Sequence, residues 1–194
     1  MTKEKYFGSA SWVSFPESFV SVLARKDFRA KNIVKAELSV IGLGFFEGYI
    51  NGRLISEDRF LPLNTEFHKR TLIRDYGIWP EELAYRIYVT QYDVTGLIKE
   101  GKNCICFMLG DGWYSSCHHE NYGSKKLIFS LTLTDKKGNV TKVKSDEEVL
   151  IKEGFIKKYD LTDGETQDFT DYDDNWLIAE ADCTAWERAI PCEF

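Results

Sequence analysis

Three groups of residues in this sequence have the types and spacing to do chemistry. Residues 117–120 read Cys-His-His-Glu, placing a thiol, two imidazoles and a carboxylate in one short run. Adjacent histidines point in different directions, and no second half with zinc-ligand spacing follows. The run therefore reads as a polar loop. Cys104 and Cys106 lie two apart, so on a strand they share a face, where a pair of small buried hydrophobes is favoured over a redox couple. Asp163, Glu165, Asp168, Asp171, Asp173 and Asp174 crowd a third region. They could supply paired carboxylates for glycoside chemistry or oxygen ligands for calcium. Their spacing is not that of a calcium-binding loop, and a solvated acidic loop is the simpler reading. Phosphate-loop, nucleophile-elbow and zinc-protease signatures are absent from the sequence, so nothing local demands an enzyme.

The elements that would position these groups are organised around residues 91–114, QYDVTGLIKEGKNCICFMLGDGWY. Asp93 and Thr95 offer side-chain oxygens to a first helical turn, Leu97 and Ile98 give it a buried side, and Gly101 can adopt the left-handed conformation that ends it. Asn103 is expected to begin a strand. Residues 104–109 are six unbroken apolar positions, too short for a comfortable helix, which predicts an interior strand covered on both faces. Gly110, Asp111 and Gly112 then turn the chain, and Trp113 and Tyr114 are large enough to close a core end or line a groove.

Most of the remaining chain reads as strands. Residues 11–22 suggest a lead-in followed by an edge strand, because Pro16 cannot donate to a ladder. Residues 35–40 alternate apolar and polar. Asn51-Gly52 between apolar runs predicts a tight hairpin, and residues 135–139 predict a second one between strands at 127–134 and 140–144. Residues 56–85 read as a loop insertion whose helical candidate starts at Trp79-Pro80-Glu81-Glu82. Residues 86–92 return to strand, 115–126 form a polar loop, and 149–151 and 155–156 are short strands. Many short strands with little helix predict an all-β fold, an antiparallel two-sheet β-sandwich of the jelly-roll, galactose-binding-like type.

Composition bounds the function. A chain of 194 residues with 43% hydrophobic content can bury one core. The net charge of −6 argues against nucleic acid and against an anionic membrane surface as partners. There is no signal-peptide core and no stretch of membrane-span length. The five cysteines are an odd, unpatterned set. A reducing, cytoplasmic location is expected.

Several short motifs in order carry a resemblance. YINGR at 49–53, RIYVTQYDVTGLI at 86–98, EGKN at 100–103, LGDGWY at 109–114 and DGETQD at 163–168 together resemble the N-terminal β-sandwich domain of bacterial α-L-rhamnosidases of glycoside hydrolase family 78. Ala36-Glu37-Leu38 and Asn121-Tyr122-Gly123 also fall where that family carries similar residues. The chain departs from the pattern by an insertion between Pro62 and Arg86, by Val149 where a tryptophan is usual, and by Phe155 where a proline is usual. The resemblance implies a non-catalytic module, residues 1–194 as a single accessory domain. Within it, 1–25 is the lead-in, and 175–194, including Asp182 to Ala189, resembles the start of the following segment of a longer chain. It implies that hydrolysis, with inversion, belongs to an (α/α)6 barrel of the same polypeptide, which is then the expected partner.

The same resemblance leaves two roles open, since some relatives bind terminal L-rhamnose with calcium while others pack on the barrel. A free-standing jelly-roll interaction protein is a third class. For a sugar site, an aromatic face and amide or carboxylate groups must converge. Trp113, Tyr114 and Asn121 are the candidates on the loop side, joined by Asn64 and Glu66. The flanking glycines favour burial for Trp113, while structural and ligand-binding roles balance for Asn121. Calcium is the one candidate cofactor, and rhamnose-containing glycans are the candidate ligands. The bulk of the insertion, with Tyr76, Trp79 and Tyr85, favours a covered site and therefore weak binding of free L-rhamnose.

Overall fold

The computed structural model describes residues 3–65, 67, 86–115, 122–160 and 162–194. A short helix, α1 (Lys3–Phe7), leads into β1 (Trp12–Ser14), β2 (Val22–Ala30), β3 (Ile33–Leu43), β4 (Phe46–Ile50) and β5 (Arg53–Leu54). There follow β6 (Thr90–Asp93), β7 (Gly101–Leu109), β8 (Lys126–Asp135), β9 (Val140–Lys144) and β10 (Leu150–Glu153). The chain ends with β11 (Ile156–Asp160), β12 (Gly164–Gln167), β13 (Glu187–Arg188) and β14 (Ile190–Cys192). Among the described residues no helix is long and apolar enough to cross a membrane.

Among the described residues every strand pairing is antiparallel. One sheet runs β14-β1-β8-β3-β6, with β9 also on β8, and the other runs β13-β10-β2-β7-β4-β5. β11 and β12 form a separate hairpin. The main core lies between the sheets, where Leu38, Val40 and Phe129 of the first meet Ile105, Phe107 and Leu109 of the second. Phe107 and Phe129 touch across the interface with ring centroids 5.1 Å apart. Each such fully buried side chain contributes about 1.5–3 kcal/mol.

The apolar run of β7 is covered on both faces, as its sequence predicts. Ile105, Phe107 and Leu109 enter the main core, while Cys104 and Cys106 lie in a second cluster on the outer face with Trp176. The strand is interior, paired with β2 on one side and β4 on the other. Asn51 and Gly52, both at positive φ (53° and 79°), form the expected hairpin tip. The second hairpin is also present: Asp135 Oδ1 accepts from the amides of Lys137 and Asn139.

Four local expectations are corrected. β1 is not an edge, because β14 pairs on its outer side and β8 on its inner side. The helical turn is a 3-10 turn at Thr95–Leu97, and Gly101 opens β7 instead of ending a helix. Asn103 is accordingly the third residue of that strand, fully buried. β2 has no counterpart in the sequence reading, because Arg25-Lys26-Asp27 interrupts its apolar pattern. The helical candidate at 79–82 lies outside the described residues. The stretch from Asp182 onward is built into this sandwich, contributing β13 to one sheet and β14 to the other.

A buried serine closes the gap where β1 and β9 follow one another along β8. Ser145 Oγ donates to Ser11 O (2.7 Å) and accepts from Phe129 N–H (3.1 Å). Buried backbone groups must find such partners, since an orphan costs about 1–3 kcal/mol.

Candidate functional site

Four of the five motifs that carry the resemblance assemble into two structural knots at strand ends, while DGETQD forms β12 of the separate hairpin. In one, Thr95 Oγ1 accepts from Ala36 N–H (2.9 Å) and Asp93 Oδ1 accepts from the Thr95 amide (2.9 Å). Asn51 Nδ2 donates to Leu97 O (2.9 Å) and to Asn103 Oδ1 (2.7 Å), joining the hairpin tip to the turn. These asparagines act on the backbone, a role their spacing in YINGR and EGKN does not reveal.

The other knot is the glycine corner at 110–114, which holds two of the candidate sugar ligands. Gly110 N–H donates to Phe45 O (2.9 Å), and a Cβ at Gly44 would fall 2.1 Å from Gly110 O. A Cβ at Gly112, where φ is +56°, would fall 2.5 Å from Phe45 N. The two backbones can touch because Gly44 and Gly112 carry no Cβ at the points of closest approach. Asp111 pairs with buried Lys125 at 2.6 Å.

Tyr114 is buried at 2% exposure. Its ring meets Phe67 edge-on at 5.3 Å and stacks on Tyr122 at 6.0 Å. Trp113 is half-buried and edge-on to Phe45 at 5.9 Å; Phe45 in turn contacts the exposed Phe60 at 5.4 Å. Asn64 is exposed, and the Phe67 contact brings its segment to the same end of the sandwich. Asn121 and Glu66 lie outside the described residues, as do Cys117, His118, His119 and Glu120. Among the described residues no three His, Cys, Asp or Glu side chains gather as a metal site.

A second region, which brings the Cys104–Cys106 pair and part of the acidic group together, lies on the outer face of the second sheet. Residues 169–186 cross that face as a strap and put Trp176 into the cluster around Cys104 and Cys106. Arg25, 1% exposed, anchors it: Nη1 donates to Trp176 O and Nη2 to Ile178 O, both at 3.0 Å, and Nη2 also reaches Asp27 Oδ1 at 2.5 Å. The Cys104 and Cys106 thiols donate to Leu177 O (3.0 Å) and Trp176 O (3.3 Å). Burial pushes the Cys106 thiol up, so it remains a neutral donor, as the structural reading of this pair expects. All described cysteines are free.

Between strap and sheet runs a groove of about 330 Å³ whose walls include Phe155, Tyr172, Trp176 and Trp186. Asp168, Asp171, Asp173 and Asp182 line it as well. Three of these acids also build turns. The Thr170 hydroxyl and amide hold the Asp168 carboxyl below its ordinary range. The amide of Asn175 and then its side chain do the same for Asp173, and the amide and hydroxyl of Thr184 for Asp182.

A depressed carboxyl pKa contributes stability that is complete above the unfolded value, about 3.9, and is lost as pH falls through the folded value. The strap turns should therefore be intact at neutral pH and loosen below about pH 4. Tryptophan fluorescence followed against pH checks this, and loosening centred above about pH 5 would contradict it.

Arrangement and sequence together define a class, an antiparallel two-sheet module of the jelly-roll type. The family profile described as the alpha-L-rhamnosidase N-terminal domain matches residues 31–81 and 79–194. The chain belongs to that family. An α-L-rhamnosidase of Streptomyces avermitilis is 26% identical over 191 residues, covering 92% of this chain and 17% of the relative. One from Formosa agariphila is 27% identical over 204 residues, covering 94% and 20% respectively. The crystal structure of an α-L-rhamnosidase from Aspergillus terreus matches with a TM-score of 0.82 at 22% identity, covering 100% of this chain and 22% of that one. The last is a likeness of fold. The chain thus spans no more than a fifth of the length of these curated relatives.

Proposed function

We propose that this domain serves a larger α-L-rhamnosidase as its non-catalytic N-terminal sandwich, and that its main partner is the (α/α)6 catalytic barrel of the same polypeptide. The observation that carries this reading is that nearly all of the chain aligns with 17–20% of each rhamnosidase relative. Physical chemistry agrees. Inverting hydrolysis needs two carboxyl groups held about 6.5–9.5 Å apart across the scissile bond, whereas the four groove aspartates of this chain are exposed and three of them are engaged in their own turns.

The coding sequence beyond Phe194 tests the partner. It is expected to continue into a helical barrel, and the joined polypeptide is expected to resist proteolysis at the junction. A stop codon directly after Phe194 would contradict the reading and favour an independent interaction protein.

A further inference from the structure

We propose that the groove under the strap docks a basic side chain, arginine or lysine, presented by another segment of the parent polypeptide. The proposal rests on the accessory-domain reading, which supplies the partner. Four aspartates, Asp168, Asp171, Asp173 and Asp182, line the groove beside Tyr172 and Trp186. Two lysines oppose them, and Lys157 is already paired with Glu153 at 2.9 Å, which leaves Lys152 against four acids. The surplus is negative in a groove that Tyr172 and Trp186 also line, and charge together with ring quadrupoles is the combination that attracts a guanidinium or ammonium group.

A neutral sugar would have to strip water from the same carboxylates without a compensating charge. The surroundings suit a protein partner as well. Phe169 is 53% exposed and stacks at 4.8 Å on Phe155, which lines the groove. An exposed aromatic beside an acidic pocket has the composition of an interface in which one buried cation acts as anchor. The volume, about 330 Å³, admits one long side chain. The relatives extend far beyond the matched region, so a rhamnosidase built on this plan has ample further surface to supply that side chain.

The test is an NMR titration of the 194-residue chain, reading the indole N–H signals of Trp176 and Trp186. The probes are the capped tripeptide acetyl-Gly-Arg-Gly-amide, its Gln counterpart, L-rhamnose and calcium chloride. The Arg peptide should give saturable shifts in the millimolar range, weakened roughly threefold or more in an Asp168→Asn, Asp171→Asn double variant. Asparagine preserves the turn at 168, because its amide oxygen accepts the same hydrogen bonds. Equal shifts from the Gln peptide, absence of saturable shifts, or stronger shifts at these indoles from L-rhamnose or calcium would each overturn the proposal. None of these outcomes bears on where hydrolysis takes place, so a failure here is distinct from a failure of the accessory-domain reading.

Discussion

Replacing Arg25 by leucine is expected to release the strap from the second sheet. The guanidinium is buried and is the donor to Trp176 O and Ile178 O, two carbonyls of a segment about 150 residues away in sequence. Removing it orphans one carbonyl and leaves the other only the weak Cys106 thiol donor. The cost should be on the order of 2–5 kcal/mol. Lysine should not rescue, because a single ammonium on a flexible stem cannot reproduce the planar fork that reaches both carbonyls and Asp27. Denaturant unfolding and limited proteolysis read the effect: a lowered midpoint, with early cleavage within 169–186. A variant with unchanged midpoint and cleavage pattern would show that the strap is held by Trp176 and its apolar neighbours alone.

Gly44→Ala is expected to be at least as damaging, by a different route. The new Cβ would overlap Gly110 O at 2.1 Å, and φ at Gly44 is +113°, a region that side chains resist. Neither backbone can yield without opening the corner that seats Trp113 and Tyr114, so a loss above about 3 kcal/mol is expected. Gly101→Ala isolates the conformational part. There φ is +87° but nothing lies within 4 Å of the added carbon, so about 1–2 kcal/mol of strain is all it should cost. Similar losses at the two positions, measured by thermal or denaturant unfolding, would refute the steric account of the corner.

These two positions also mark what the sequence could and could not disclose. The apolar run of β7 and the Asn51-Gly52 turn were legible because strand burial and turn geometry are local, decided by the residues themselves and their nearest neighbours. Gly44 and Gly110 are both visible in the sequence, but their contact is not, because it joins two separate turns. β2 was hidden by Arg25, whose charge reads as solvent-exposed until Trp176 and Ile178 arrive to bond it.

Site residues show the same division. Tyr114, a candidate for a sugar ligand by its type and place, is buried against Phe67 and Tyr122, while Trp113 sits half-buried at the corner. The groove could not be found in the sequence at all. Its walls come from β10, the following loop and the strap, and the acidic run alone gives no sign that Phe155, Trp176 and Trp186 converge beside it.

The accessory-domain account is tested most directly by assaying the purified 194-residue chain and the longer polypeptide of its reading frame side by side on an aryl α-L-rhamnoside. The account predicts turnover by the longer polypeptide and none by the chain alone. Turnover by the chain, abolished when one of its own strap aspartates is changed to asparagine, would contradict it.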